Sequence, residues 1–264
     1  MSLRLKGGEF EVVVEKRKAD IRIFSSADAL AVGVAEHFVR LADAATAAGG
    51  RFAVALAGGS TPRAAYRLLA TQEFAGQVDW AHVHVFWGDE RCVPPNHPDS
   101  NYNMARQALL DRVPVPQANV HRIHAELRPD DAAARYEKTL REFFRGRGDS
   151  FLGGGPRFDL VLLGMGKDGH TASLFPGTAA LHERKRWAAA QRIASLDTVR
   201  ITLTPAVINA AANVTFVVSG AEKSRTLAQV LSGPYRPEVL PAQIIQPAEG
   251  RLLWLVDEAA AALL

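Results

Sequence analysis

The stretch Phe158 to Pro176, FDLVLLGMGKDGHTASLFP, constrains this chain more than any other. Phe158, Leu160, Val161, Leu162 and Leu163 make a nearly continuous apolar run, which suits a strand covered on both faces better than a half-exposed one. Such strands belong to parallel sheets flanked by helices. Gly164, Gly166 and Gly169 then let the backbone turn tightly beside a ligand. His170 follows them and is expected at the carboxyl edge of the sheet, where open α/β folds hold their ligands. An imidazole there can take a proton from water, so His170 is the candidate general base. One histidine among eight is ordinarily a surface or structural residue, and the loop is what singles this one out.

Strand-like and helix-like segments alternate from end to end, the pattern of a layered α/β fold with a mostly parallel sheet. Ser25 and Ser26 are caps for a helix on which Leu30, Val34, Phe38 and Leu41 recur until Gly49-Gly50. Phe52 to Ala57 and Val83 to Trp87 read as strands, and Asn119 to Ile123 as a short one. Pro129 to Phe144 reads as a helix with Pro129 in its first turn and Tyr136, Leu140 and Phe143 on one face. Val199 to Thr204 and Asn213 to Ser219 are further strands, Ala221 to Leu231 a helix, and Leu252 to Val256 the strand expected to close the sheet. The loose segment Gly146 to Pro156, GRGDSFLGGGP, leads directly into the central strand and reads as a surface loop. Residues 1–264 are therefore expected to form a single domain.

Composition excludes several classes. A chain of 264 residues can bury a sizeable core without metal or disulfide staples. No apolar stretch approaches the roughly 20 residues that cross a bilayer, and the polar start MSLRLKGGEFEVVVEK lacks the apolar core of a secretory signal. Cys92 is the only cysteine, so no internal disulfide or cysteine-based zinc site can form within one chain, and a cytoplasmic setting is expected. A lone thiol of this kind is usually an inert packing residue. Net charge is only +3 and the Lys and Arg residues are dispersed, which argues against nucleic acid as a partner.

Two more strand ends carry polar chemistry. In FAVALAGGSTPRAAYRLLA an apolar strand stops at Gly58-Gly59, and a helix is expected to start with Thr61 as N-cap and Pro62 in the first turn. Unpaired N–H groups there, at Gly59, Ser60 and Thr61, suit a phosphate. The loop lacks the lysine of a nucleotide-binding P-loop and the GxGxxG spacing of a dinucleotide fold, so neither ligand is supported. In VHVFWGDERCVPPNHPDSNYNMA the trio Asp89, Glu90 and Arg91 follows a strand, and Asn96, His97, Ser100 and Asn101 border it. Arg91 can fork onto a phosphate, a carboxylate or sugar oxygens, while Asp89 can accept hydroxyls or orient a partner. Arg200 in VRITLT and Lys223 in SGAEKSRTL are cations suited to neutralising a phosphate. Three such ends in one sheet converge on one crevice.

The motifs AGGSTPRAAY, FWGDERCVPPNHPDSNYNMA, FDLVLLGMGKDGHTASLFPGT, RITLT and SGAEKSRTL, spread over most of the chain, resemble those of the 6-phosphogluconolactonase family. The resemblance implies a three-layer, Rossmann-like α/β fold shared with glucosamine-6-phosphate deaminases, an open and mostly parallel sheet with helices on both faces. It implies hydrolysis of 6-phosphoglucono-1,5-lactone to 6-phosphogluconate in the pentose phosphate pathway, without a cofactor or metal. The expected partner is this phosphorylated sugar lactone, not nucleic acid or membrane, met by a monomer or small homo-oligomer. Carried onto this sequence, the resemblance makes His170 the base and gives substrate or phosphate contacts to Gly58, Gly59, Ser60, Thr61, Arg91, Arg200 and Lys223. Asp168 is placed to orient the imidazole, and Asp89 to meet sugar hydroxyls. Lys167 occupies the open position of the GMGxDGH loop, and LPAQIIQP is a loose version of the family's small-residue segment near the C-terminus. A glucosamine-6-phosphate deaminase-type isomerase is the nearest alternative. Its motif GHIAFNEP carries a carboxylate where this chain has Phe175. A non-catalytic sugar-phosphate sensor on the same fold is the other.

Overall fold

The computed structural model describes residues 2–6, 9–14, 19–47, 50–145 and 156–264, the first two stretches by backbone alone. Along them run β1 (Ser2–Lys6), β2 (Glu9–Val14), β3 (Ala19–Phe24), α1 (Ala27–Thr46), β4 (Phe52–Leu56), α2 (Ser60–Leu69), α3 (Gln72–Ala75), β5 (Val83–Trp87), β6 (Asp89–Arg91) and α4 (Asn101–Ala108). Then come α5 (Pro129–Phe144), β7 (Leu160–Leu163), β8 (Ala188–Ile193), β9 (Thr198–Leu203), α6 (Pro205–Asn209), β10 (Asn213–Val218), α7 (Ser224–Ser232), β11 (Arg251–Asp257) and α8 (Glu258–Ala261).

The large sheet has the order β1-β2-β3-β11-β10-β7-β4-β5. From β3 to β5 every neighbour is parallel, and β1 and β2 extend one side antiparallel. Every residue of β4 and of β7 is buried, as strands covered by helices on both faces require. α1 begins where the serines predict: the Ser26 hydroxyl accepts from the Ala29 N–H at 3.1 Å. Pro129 opens α5, where its missing N–H costs nothing.

Three sequence expectations change. Leu252 to Val256 does not close the sheet; β11 lies inside it, between β3 and β10, because β1 and β2 add the outer strands. Val199 to Thr204 is a strand, but it belongs to a separate antiparallel sheet ordered β6-β9-β8. Asn119 to Ile123 is no strand. A 3-10 turn at Gln117–Asn119 leaves a single bridge between Val85 and Val120. The Asp89, Glu90, Arg91 trio that follows β5 is itself strand β6. Gly49 and the segment 146–155 lie outside the described residues.

One buried polar unit ties α1 to the sheet. His37 is 6% exposed. An Arg40 guanidinium nitrogen donates to its Nδ1 at 2.7 Å, which places the ring proton on Nε2, 2.9 Å from the Thr215 hydroxyl on β10. Burial, reinforced by Arg40 and Arg22, pulls this imidazole from 6.5 to about 3. Between those two values the unfolded chain binds a proton that the folded chain refuses, so stability is lost as pH falls from 6.5 toward 3, by up to about 1.4 kcal/mol per pH unit. Urea unfolding of His37→Gln should therefore depend less on pH than that of the parent between pH 6.5 and 4.5. Equal slopes would show that His37 is not held neutral.

Candidate active site

β4 and β7 pair at only two positions, Val54 with Leu160 and Ala55 with Val161. The chain order reverses here, since β5 lies on the far side of β4 while β10 and β11 lie beyond β7. Strands that part at a reversal leave a crevice at their carboxyl ends. A cavity of about 300 Å³ occupies it, lined by Gly58, Gly59, Ser60 and Thr61 after β4, Asp89 and Arg91 on β6, His170 after β7, Arg200 on β9 and Lys223 before α7. Every sequence-predicted site residue but Asp168 thus lines one cavity, and Asp168 stands directly beside His170.

At the β4 end, Gly59 and not Thr61 is the N-cap, and α2 starts at Ser60. Gly59 adopts φ of +106°, open to glycine and strained for other residues, so the turn is complete earlier than the Thr-Pro pair suggests. The N–H groups of Ser60 and Thr61 fall in the first helical turn, where no intrahelical acceptor exists. They form a small anion-attracting wall.

The Asp168 carboxylate accepts from the His170 backbone N–H at 3.2 Å and meets the ring Nδ1 at 2.5 Å. Burial alone would raise the Asp168 carboxyl, but the hydrogen bond and charge of His170 outweigh it and hold the group below its usual range. It stays ionised, keeps the ring proton on Nδ1 and leaves Nε2 as the basic nitrogen. Gly166 is what allows the pair: a Cβ there would overlap both the imidazole and the Asp168 carboxylate. On the other face the Phe175 ring stacks on His170, centroids 4.0 Å apart and 14° from parallel. Ala172, with φ of +47°, is a strained non-glycine residue in the cavity wall.

The glycine loop is held from several sides. The Thr171 hydroxyl donates to Gly164 O at 2.8 Å, Lys223 Nζ to Met165 O at 3.0 Å and the Thr226 hydroxyl to Lys167 O at 2.7 Å. Ala242 N–H, from the LPAQ segment, donates to Gly169 O at 2.8 Å. Lys223 is thereby tied to the loop it faces. Burial is the main reason its ammonium titrates below the ordinary lysine range.

Strand alternation divides the charged trio. Asp89 and Arg91 line the cavity, and the intervening Glu90 is buried. Glu90 accepts from the N–H groups of Arg91, Asn101 and Tyr102 and from the Ser100 hydroxyl, so it caps α4. Burial raises its pKa despite these four donors. Asp89 is engaged too: Asn101 Nδ2 donates to it at 3.1 Å and the Ser173 hydroxyl at 2.7 Å. Its carboxylate is thus an organiser of the wall as well as a lining group. Ser173 and Phe175 lay in the recognised motif, but sequence offered no sign of which partner each would meet. Cys92 is half-buried, its thiol raised first by burial and then by Glu90, which leaves it unreactive.

Arg91 and Arg200 are direct cross-strand partners. Like charges opposite each other are unfavourable, and the buried Nε–H of each has no hydrogen-bond partner among the described residues. Such a pair can receive an anion between its guanidiniums.

The family model described as Glucosamine-6-phosphate isomerases/6-phosphogluconolactonase matches residues 25–254. A 6-phosphogluconolactonase from Nostoc sp. is 48% identical over 215 residues, covering 81% of this chain and 85% of that protein. The solved 6-phosphogluconolactonase from Trypanosoma brucei superposes with a TM-score of 0.82 at 31% identity, covering 92% of this chain and 98% of that one. A monomeric glucosamine-6-phosphate deaminase, at 18% identity and a TM-score of 0.75, covers 92% of this chain and 99% of that one and shares the fold.

Gly166→Ala should drive His170 and Asp168 apart while leaving the sheet intact. Far-ultraviolet circular dichroism is expected to stay unchanged, and a crystal structure of the variant to show Nδ1 beyond hydrogen-bond reach of the carboxylate. An undisturbed pair would contradict the packing argument.

Proposed function

Because this chain belongs to the glucosamine-6-phosphate isomerase/6-phosphogluconolactonase family, we propose that it hydrolyses 6-phospho-D-glucono-1,5-lactone to 6-phospho-D-gluconate in the oxidative pentose phosphate pathway, with His170 as general base. The observation that carries this reading is His170, braced by Asp168, in the same cavity as the Gly59 turn and the arginines. A δ-lactone is an activated ester, so a water deprotonated by Nε2 can attack its C1 carbonyl without a covalent enzyme intermediate. The C–O bond to the ring oxygen then breaks, and that oxygen takes the proton back from His170. Asp168 steadies the imidazolium in between.

The oxyanion formed at C1 needs donors. Gly166 N–H already donates to His170 O and Gly169 N–H to Gly166 O, and we take the Arg91 guanidinium for this role, since it has donors left beyond the one that Asp99 O engages at 2.7 Å. Arg200, Lys223 and the Ser60 and Thr61 N–H groups then take the phosphate. Phe175 disfavours the isomerase reading, since an aromatic ring stacked on the imidazole replaces the carboxylate that a proton relay would use. A cytoplasmic location is part of the same proposal, supported by the single cysteine; no helix among the described residues is long and apolar enough to cross a membrane.

His170→Ala should lower kcat by about two to four orders of magnitude with little change in binding, the usual worth of a positioned base. The assay is acid release from the lactone, corrected for its spontaneous hydrolysis, and parental turnover by the variant would remove the base assignment. Arg200→Met or Lys223→Met should instead raise KM about tenfold or more at nearly constant kcat, as expected for contacts equally strong in ground and transition states. A KM left unchanged by both variants would place the phosphate elsewhere.

A further inference from the structure

The structure assigns Tyr66 and Tyr136 as a matched pair of positioning residues, each using one hydroxyl to hold both backbone groups of the residue that precedes a glycine turn into the cavity. Ala57 N–H donates to the Tyr66 oxygen at 3.0 Å, and the Tyr66 O–H donates back to Ala57 O at 2.9 Å. Trp87 N–H donates to the Tyr136 oxygen at 3.0 Å, and the Tyr136 O–H donates to Trp87 O at 2.8 Å. Gly58 follows the first residue and Gly88 the second. Both rings are buried, and that burial raises both phenols above their ordinary range, so each keeps the proton it donates.

The arrangement follows from strand geometry. Along a strand the N–H and C=O of one residue point to the same side, and successive residues alternate. Leu56 O accepts from Gly88 N–H on the β5 side, so Ala57 presents its two groups toward β7. There the β4–β7 ladder has already ended. Tyr66 fills the rung that the crevice removes. Trp87 likewise faces the outer edge of β5, beyond the Val85–Val120 bridge, and Tyr136 reaches it from α5.

Each hydroxyl governs a different part of the site. Tyr66 stands on α2, whose first turn carries Ser60 and Thr61, so its bond to Ala57 closes the phosphate turn between two fixed points. Tyr136 fixes the residue from which Gly88 leads to Asp89 and Arg91, and Gly88 is also where Leu203 N–H joins the small sheet to the large one, at 2.8 Å. This assignment rests on the lactonase reading for its kinetic readout, and the parent's turnover of the lactone is measured first.

Tyr66→Phe is expected to raise KM about five- to tenfold with kcat within about twofold, since the cradle holds the phosphate in both states. Tyr136→Phe is expected to lower kcat by about five- to tenfold at nearly constant KM, because it loosens Arg91 at the reacting carbonyl. Amide hydrogen exchange should quicken only around 57–61 in the first variant and 87–91 in the second. Parental kinetic constants in both variants alongside a lowered melting temperature, or exchange rising evenly across the sheet, would overturn the assignment as merely structural. A parent that does not turn over the lactone refutes the proposed activity and leaves the exchange pattern to decide this one. Should a variant precipitate, exchange in the parent decides: Ala57 and Trp87 must be as slow as the ladder amides of β4 and β5, and rates as fast as that of Gly58 count against the pair.

Discussion

The parting of β4 from β7 after two rungs is the constraint on which the rest of the structure depends. Two parallel strands that stayed paired to their ends would bring their following loops together and leave no room between them. Because the chain leaves β4 toward β5 and leaves β7 toward β10, the loops are drawn to opposite sides and the floor between them opens. The gap exposes backbone groups in a place where every strand residue is buried, and those groups must find partners or destabilise the sheet. The phenol at Ala57 meets that demand from within the protein.

The second sheet shapes what the gap can hold. Its strand β6 is three residues long and entirely charged, which no propensity favours as a strand. It persists because alternation sends Glu90 inward to four donors and leaves Asp89 and Arg91 at the cavity. Pairing with β9 then sets Arg91 opposite Arg200. A bare cross-strand pair of guanidiniums repels. Burial brings the Arg200 guanidinium below its ordinary range, against the nearby carboxylates of Asp89 and Glu90, which favour its charge.

Sequence revealed the parts whose signal is local. The apolar runs of β4, β5 and β7, the Ser26 cap and the glycine loop before His170 all depend on neighbouring residues, and all are where periodicity puts them. What it could not show depends on residues far apart. β6 was invisible because its partner is Arg200 and its neighbours, not the adjacent chain. Placing β11 at the rim overlooked that an N-terminal hairpin extends the sheet past it. Thr61 looked like the cap because Thr-Pro so often starts a helix, and the positive φ of Gly59, which starts it earlier, is a backbone fact with no residue pattern of its own. Tyr136 and Trp87 are 49 positions apart, and nothing in either neighbourhood marks them as partners.

Two histidines show why residue type alone could not have located the chemistry. His37 is buried beside an arginine that donates to its Nδ1, and burial first, then the charges of Arg40 and Arg22, lock the imidazole in one protonation state across the working pH range. A base so held can neither accept nor return a proton. His170 has a carboxylate in the equivalent position on Nδ1, with its other nitrogen free of any such lock and its ring in a cavity wall. A carboxylate partner stabilises the protonated ring that a reaction must pass through, whereas a guanidinium partner forbids it. The same side chain is therefore a brace on α1 and, in the proposed mechanism, a base after β7, and the difference lies in the sign of the charge beside Nδ1.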